Sequence, residues 1–285
     1  MNLSNYFSLI DPLIELCHNV GIYICQSYTH SGFQQFPNKA DGTPLTQVDL
    51  YAHSMLVKGL YEISPDIPVL SEESTTSELR NRFDWRQLWI IDPLDGTREF
   101  LNKTGDFTIN IALVENGRPL LGIISQPLPE VCHAGLVGGG VWRIGRGEVI
   151  VDSLEIKIQQ ANKKSISILT SRGNTGLVFD NYLNWIKTHF IEVDLLKFGA
   201  ALKFIKLVDG IGDIYPRFSP CSEWDVAAGD AIVHAAGGQL VGLDGLPLKY
   251  NFREKLVSDP FIAVGASGFS LLSKSMDFFQ DNNFF

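Results

Sequence analysis

The sequence predicts an α/β protein made of two differently organised halves. In the second half, short apolar runs alternate with segments of helical periodicity, which is the pattern of an α/β layer. In the first half, two helical segments precede a series of apolar runs joined by turns, which indicates paired helices and an antiparallel sheet. The pattern changes near residues 152–163, where no flexible linker marks a boundary. We therefore expect an α+β half over residues 1–155 and an α/β half over residues 156–285.

The first half begins with two helices. Apolar residues recur at helical spacing over residues 3–28, which predicts an amphipathic helix. After a turn-rich segment at residues 39–44, Thr46 opens a second helical pattern that runs to Ile63. Six apolar runs then predict strands, at residues 68–70, 88–91, 107–114, 120–125, 131–137 and 141–144. The Asn116-Gly117 step favours a tight hairpin between the third and fourth of these strands.

The second half alternates strands with helices. The predicted strands are residues 165–170, 191–196, 213–215 and 262–264. The predicted helices are residues 177–189, 200–208 and 225–236, followed by a terminal helix after the last strand. Gly237 and Gly238 end the third helix, because glycine is common just past a helix C-terminus.

Composition excludes several classes of protein. A hydrophobic content of 45% and a charged content of 19% are ordinary for a soluble globular protein. The net charge of −9 argues against binding nucleic-acid polymers, but not against a small phosphorylated ligand, because bound metal ions can reverse the local field. Acids interrupt the apolar N-terminal stretch, so we expect neither a signal peptide nor a transmembrane segment.

The cysteines indicate a reduced protein. None of the four belongs to a C-x-x-C pair, so neither a zinc site nor a disulfide framework is expected: Cys17, Cys25, Cys132 and Cys221. A cytoplasmic location is the simplest interpretation, with peripheral association with the inner face of the membrane left open. The oligomeric state, monomer or homodimer, is also left open.

The most informative motif is Asp92-Pro93-Leu94-Asp95-Gly96-Thr97. An apolar run typical of a buried strand leads into two carboxylates and then a Gly-Thr turn, where backbone N–H groups are exposed. Hard divalent cations prefer carboxylate and carbonyl oxygens, and exposed N–H groups bind anions. The motif therefore suits a divalent cation and a phosphate side by side.

Two other motifs share features with this stretch. A calcium loop needs acids at alternate positions and a later glutamate, which the stretch does not provide. Phosphatases that form an aspartyl-phosphate also place an acid after a strand, followed by Asp-Gly-Thr, but one residue separates their two acids. Here Pro93 and Leu94 both intervene, which favours two metal ligands over a nucleophile and its acid partner.

Three further acids stand at the ends of predicted elements, and each has an ordinary alternative role. Asp49 could be a first-turn acid facing a helix dipole. Glu72 could be a solvated charge after a strand. Asp225 could cap a helix.

Four motifs together resemble those of the lithium-sensitive, magnesium-dependent phosphomonoesterase superfamily that includes inositol monophosphatase. They occur in the family's order, as Thr46-Gln47-Val48-Asp49, Ser71-Glu72-Glu73, Asp92 through Thr97, and Trp224-Asp225-Val226-Ala227-Ala228-Gly229. Within the superfamily, the chain is similar to the 3'(2'),5'-bisphosphate nucleotidases of the CysQ type. Segments 39–46, 69–73, 106–113, 202–204 and 215–218 carry this similarity, which spans residues 11–264.

The resemblance implies a layered αβαβα sandwich with the site between the halves. It implies two Mg²⁺ ions, the first bound by Glu72, Asp92 and the Leu94 carbonyl, the second by Asp92, Asp95 and Asp225, with a weaker third ion at Glu72. It assigns Asp49 and Thr97, with Glu72, to catalysis by orienting and deprotonating the attacking water. The substrate-binding residues that it implies are Asp95, Gly96, Thr97, Ser171, Arg172, Lys203 and Asp225.

The implied substrate is adenosine 3',5'-bisphosphate (PAP), cleaved to AMP and phosphate, with its 3'-phosphosulfate relative (PAPS, giving APS) as a second candidate. Arg172 and Lys203 are the first candidates for the second phosphate and Arg217 is the third, although each could be an ordinary surface charge. Gly199-Ala200 and Cys221-Ser222 depart from the family pattern. These departures affect the nucleoside pocket that the resemblance implies, and not the metal site. The alternatives are an inositol or sugar monophosphatase and an inactive nucleotide-sensing protein.

Overall fold

A computed structural model describes residues 3–30, 35–36, 45–145, 164–172 and 176–282. Its helices are α1 (Leu3–Thr29), α2 (Gln47–Ile63), α3 (Thr97–Leu101), α4 (Leu177–His189), α5 (Leu202–Val208), α6 (Glu223–Ala235) and α7 (Phe269–Asp281), with a one-turn 3₁₀ helix at Arg82–Asp84. The turn predicted at residues 39–44 and the change of pattern predicted near residues 152–163 lie outside the described residues.

The strands form two main sheets. In chain order they are β1 (Gln35–Phe36), β2 (Leu45–Thr46), β3 (Val69–Ser71), β4 (Gln87–Asp95), β5 (Thr108–Glu115), β6 (Arg118–Gln126), β7 (Val131–Leu136), β8 (Gly140–Gly145), β9 (Ser165–Thr170), β10 (Glu192–Lys197), β11 (Ile214–Arg217), β12 (Cys221–Ser222), β13 (Gln239–Gly242), β14 (Val257–Ser258) and β15 (Phe261–Val264). The first sheet has the order β3-β4-β5-β6-β7-β8 and the second β10-β9-β11-β15-β13. β1 pairs with β2, and β12 with β14.

The first sheet is antiparallel except at its edge, where β3 runs parallel to β4. The predicted hairpin between β5 and β6 is confirmed. Its two turn residues, Asn116 and Gly117, have φ angles of 49° and 75°, the left-handed values that a two-residue hairpin of this type requires. The second sheet is mixed, because β9 is parallel to β10 and β11 while β15 is antiparallel to β11 and β13.

Three hydrophobic clusters separate the layers. One packs α1 and α2 on the outer face of the first sheet. The second joins the inner face of that sheet to α5, α6 and the second sheet. The third packs α4 and α7 on the outer face of the second sheet. The layer order is therefore α-β-α-β-α, and the predicted αβαβα sandwich is confirmed.

Strand β4 shows why its sequence is continuously apolar. Leu88 and Ile90 belong to the central cluster, whereas Trp89 and Ile91 belong to the cluster with α1 and α2. Successive side chains of a strand point to opposite faces, so a strand covered on both sides needs apolar residues at every position.

The first two helices were predicted closely. α1 extends one residue beyond the predicted 3–28, and α2 begins directly after Thr46 as expected. α1 buries one stripe, including Leu13, Val20 and Ile24, against its neighbours. No helix of the described residues is long and apolar enough to span a bilayer.

Helix α6 lies in the middle layer, and small residues allow its close approach to both neighbours. A Cβ at Gly122 of β6 would lie 2.2 Å from the Ala228 carbonyl oxygen, and a Cβ at Gly229 would lie 2.2 Å from the Phe204 ring. Both distances are far below van der Waals contact. The position of α6, and of every side chain at its start, therefore depends on these glycines.

We expect Gly122→Ala to lower the free energy of unfolding by about 1–3 kcal/mol, because the new methyl group must displace the backbone of α6. Urea unfolding followed by circular dichroism measures this change. Gly145→Ala is the matched control, since a Cβ there meets no described atom within 4 Å. Equal midpoints for the two variants would contradict the proposed close packing.

Candidate active site

The predicted site residues converge on one cleft between the two sheets. The cleft has a volume of about 340 Å³, and its lining includes Glu72, Asp92, Leu94, Asp95, Gly96, Thr97, Ser171, Arg172, Lys203 and Asp225. Asp49 is not part of the lining, but its carboxylate accepts a hydrogen bond from the Thr97 hydroxyl at 3.0 Å. The structure therefore brings together residues as far apart in the chain as Asp49 and Asp225, which are separated by 176 positions.

A β-bulge places the two acids of the central motif on the same side of β4. Asp92 pairs with Asn110 and Asp95 with Thr108, so two residues of β4 oppose one residue of β5. In a regular strand, residues three positions apart point to opposite faces, and the extra residue of a bulge reverses this. The expectation that the strand stops before the acids was wrong, because β4 continues through the bulge to Asp95.

Asp225 completes a cluster of three carboxylates. One ligand oxygen from each of Asp92, Asp95 and Asp225 lies within 4.8 Å of the others. Burial first, and then the neighbouring carboxylates, raise the pKa of Asp92 well above its usual range. Burial and the charge of Asp225 raise the pKa of Asp95 to about 8. Asp92 is buried and Asp95 and Asp225 are half-buried. Three carboxylates so close together repel one another, so the cluster could hold a metal ion, whose charge would relieve the repulsion.

Two more oxygen ligands are available beside the cluster. Glu72 follows β3 directly and lines the same cleft, because β3 pairs in parallel with β4. The Leu94 carbonyl lies in the bulge, at 3.2 Å from the Thr97 hydroxyl. Carboxylate and carbonyl oxygens are the donor types that Mg²⁺ accepts, so this donor set fits that ion.

Capping interactions fix two of the acids. Asp225 is the third residue of α6, and its Oδ2 accepts hydrogen bonds from the Ser222 N–H at 3.2 Å and the Cys221 thiol at 3.3 Å. Asp49 holds the same position in α2, where its Oδ2 accepts from the Thr46 N–H at 2.8 Å. The capping role considered for Asp225 is thus observed together with its place in the cleft.

The Gly96-Thr97 turn leads directly into α3. Gly96 has a φ of 90°, and a Cβ at this position would lie 2.7 Å from the Asp106 carbonyl oxygen. Glycine therefore avoids both backbone strain and a clash here. Thr97 is the first residue of α3, so its N–H has no carbonyl partner within the helix and can bind an anion.

The three candidate cations have different environments. Lys203 is buried and donates to the Phe198 and Ala200 carbonyls at 3.3 and 2.5 Å, and burial lowers its pKa. Arg172 is exposed and pairs with Asp106 at 2.6 Å. Arg217, the third candidate by sequence, donates to the Ser171 hydroxyl at 2.6 Å and lines the cleft.

Several residues in or beside the cleft were not predicted. Asn110 is not part of the lining but donates to Asp95 Oδ2 at 3.1 Å, and a polar residue inside an apolar run was the available signal. Phe198, Tyr215 and Trp224 line the cleft itself. Trp224 and Tyr215 lie in segments that carry the family resemblance, but aromatic residues are often buried, so their type alone did not indicate a place in the cleft.

The five-layer sandwich with an acid-lined cleft between its sheets defines the structural class of this chain. Within that class, the family model described as "Inositol monophosphatase family" matches residues 7–267. The chain belongs to the inositol monophosphatase family, as its four motifs indicated.

Two curated relatives and one solved structure refine this placement. The chain is 34% identical over 254 residues to the 3'(2'),5'-bisphosphate nucleotidase CysQ of Escherichia coli (strain K12), covering 89% of this chain and 98% of that protein. It is 38% identical over 248 residues to CysQ of Buchnera aphidicola subsp. Acyrthosiphon pisum, covering 87% and 89%. The crystal structure of CysQ from Bacteroides thetaiotaomicron matches with a TM-score of 0.75 at 31% identity, covering 91% and 97%.

We expect the metal-free protein to lose stability as the pH rises from about 4 to about 8. In this range, the native state holds a proton on Asp95, whose pKa is raised to about 8, while the unfolded chain has already released it. Thermal unfolding in EDTA at several pH values measures the slope. Asp95→Asn should flatten it, whereas the exposed control Asp66→Asn should keep it. An Asp95→Asn slope equal to that of the wild type would refute this assignment.

Proposed function

We propose that this chain is a Mg²⁺-dependent 3'(2'),5'-bisphosphate nucleotidase that hydrolyses adenosine 3',5'-bisphosphate to AMP and phosphate. The carboxylate cluster of Asp92, Asp95 and Asp225, beside the Thr97–Asp49 pair, is the observation that supports phosphate-ester hydrolysis. The choice of substrate is supported by the two nucleotidase relatives, which align over 98% and 89% of their lengths. This support disfavours the inositol or sugar phosphatase alternative.

We propose that two Mg²⁺ ions bind in the cleft. Glu72, Asp92 and the Leu94 carbonyl would hold the first, and Asp92, Asp95 and Asp225 the second, with a weaker third site at Glu72. When bound, the ions supply positive charge that acidifies a water and neutralises the phosphate oxygens. Burial, as the first cause, raises the pKa values of Asp92, Asp95 and Asp225, which supports this arrangement because a bound cation would favour their charged forms.

Thr97 and Asp49 would orient the attacking water and accept its proton. The Thr97 hydroxyl donates to Asp49 Oδ1, so its oxygen can act as a hydrogen-bond acceptor for water, and Thr97 lines the cleft. Asp49 Oδ2 is held by Thr46, which fixes the direction of the pair. A proton can pass from water to Thr97 while the hydroxyl proton moves to Asp49.

Direct attack by water requires no covalent intermediate. The thiol of Cys221 lines the cleft, but burial raises its pKa well above the usual range, which makes it a poor nucleophile. Phosphoryl transfer depends mainly on positioning and charge neutralisation, and the N–H groups of Gly96 and Thr97 would contribute to both at the reacting phosphate.

The second phosphate requires cations in the lining of the cleft. We propose Ser171, Arg172 and Lys203 for this role, together with Arg217, which donates to Ser171. Lys203 is buried near Asp95, so it also offsets part of the negative charge of the cluster. PAPS, which carries the same 3'-phosphate, is the second proposed substrate.

We also propose a cytoplasmic location and a division of the chain into two halves. All four cysteines are free, which supports a reducing, cytoplasmic location. The division into residues 1–155 and 156–285 assigns the Mg²⁺-binding strand β4 to one half and Asp225 to the other.

We expect phosphate release from adenosine 3',5'-bisphosphate with Mg²⁺ to exceed that from inositol 1-phosphate by at least about tenfold in kcat/KM, or about 1.4 kcal/mol, because only the nucleotide offers a second phosphate to the cations. A colorimetric phosphate assay on both substrates measures this ratio. AMP, the expected product, is the control and should release no phosphate. Faster release from inositol 1-phosphate would refute the nucleotidase assignment.

We expect Asp49→Asn to lower kcat by about 10²–10⁴-fold, the usual contribution of a general base. The Mg²⁺ concentration for half-maximal activity should stay near that of the wild type, because Asp49 contacts Thr97 and not the carboxylate cluster. Steady-state kinetics over a range of Mg²⁺ concentrations separates the two parameters. Glu62→Gln, an exposed acid on the same helix, is the matched control. Unchanged kcat in Asp49→Asn would exclude its proposed role.

A further inference from the structure

A buried polar link joins the loop between β3 and β4 to the segment that follows β13. Arg82 is 5% exposed and donates from Nη1 to Asn251 Oδ1 at 2.8 Å. Its Nη2 donates to the Glu254 carbonyl at 2.8 Å and also contacts the Arg253 carbonyl. The amide of Asn251 donates in return to the Arg82 carbonyl at 2.6 Å. The two segments are thus interlocked although they lie 169 residues apart.

The link continues from Asn251 to the start of α6. Asn251 has a φ of 59°, and its backbone N–H donates to Glu223 Oε2 at 2.6 Å. Glu223 is fully buried in the first turn of α6, and its own N–H donates to the Leu256 carbonyl at 3.0 Å. Two residues further along the same turn is Asp225.

This link connects the two parts of the chain that supply the carboxylates. The loop containing Arg82 runs from Glu72 to β4, which carries Asp92 and Asp95, and α6 carries Asp225. Buried polar groups are costly unless hydrogen-bonded, so the geometry of the link is strongly determined once it forms. The carboxylates repel one another, and a fixed connection between their supports resists their separation.

We propose that Arg82 is a positioning residue for the Mg²⁺ site. Acting through Asn251 and Glu223, it fixes the start of α6 relative to β4 and so sets the separation of Asp225 from Asp92 and Asp95. The proposal rests on the proposed function, since it concerns the ions of that same site. Its consequence is that Arg82, which is not among the residues lining the cleft, determines Mg²⁺ affinity.

Arg82→Met removes the hydrogen bonds and keeps much of the side-chain volume. We expect the Mg²⁺ concentration for half-maximal activity to rise by about 10–100-fold, as is typical when a residue that orients metal ligands is removed. The value of kcat at saturating Mg²⁺ should change much less. The Mg²⁺-induced increase in Tm, measured without substrate, should require correspondingly more Mg²⁺. Arg82→Lys should recover part of the loss.

Asn251→Gly tests the same link by a second route. Glycine adopts a φ of 59° without strain and keeps the N–H that donates to Glu223, so this variant removes only the side-chain bonds to Arg82. It should shift the Mg²⁺ dependence in the same direction as Arg82→Met, and the double variant should not be additive. Lys255→Met removes a neighbouring exposed cation and is the matched control.

The outcomes separate the two proposals. If Arg82→Met and Asn251→Gly lower Tm but leave the Mg²⁺ dependence of Tm unchanged, Arg82 is only structural and the inference is overturned. If Arg82→Met does not fold, the result for Asn251→Gly decides in the same way. A wild type that binds Mg²⁺ but does not hydrolyse the bisphosphate would refute the proposed function, while the Tm measurements would still test Arg82.

Discussion

Mutual repulsion among Asp92, Asp95 and Asp225 is the interaction that the rest of the structure must balance. One oxygen from each lies within 4.8 Å of the others, and partial burial of the carboxyl groups also disfavours their charge. The balance comes from packing, because α6 lies between two sheets and cannot withdraw Asp225 without disturbing the central hydrophobic cluster. A site built against such repulsion costs stability in the metal-free protein and gains it on binding a cation.

Local backbone features convert this packing into a site. The bulge at Pro93 and Leu94 turns two acids of one strand to the same side, and Gly96 admits the left-handed turn that starts α3. Asp49 and Asp225 are each the third residue of a helix. Each carboxylate accepts a hydrogen bond from the residue that precedes its helix, Thr46 or Ser222. Both side chains therefore cap helices. Asp225 also lines the cleft, and Asp49 orients Thr97, which lines it. The ordinary and functional interpretations of these acids are compatible.

Sequence patterns predicted most elements but missed several short strands. Helices α1 and α2 and the β5–β6 hairpin follow from periodicity and turn chemistry, which act over a few residues. β13 and the two-stranded pair of β12 and β14 were missed, because their runs are short and their stability comes from strands far away in the chain. The helix predicted from residue 200 begins at Leu202, since Ala200 has a φ of 46° and ends the preceding turn.

The sequence by itself determined the residue types of the site, because Asp92 through Thr97 carries both acids and the turn within six positions. It also determined the family, through four motifs in a fixed order. Only the tertiary structure decided how these motifs meet, that Arg217 supports Ser171, and that Arg82 connects through Asn251 to Glu223. The physical reason is distance along the chain. Contacts between residues 46 or 169 positions apart depend on how whole layers pack, and no local pattern records that.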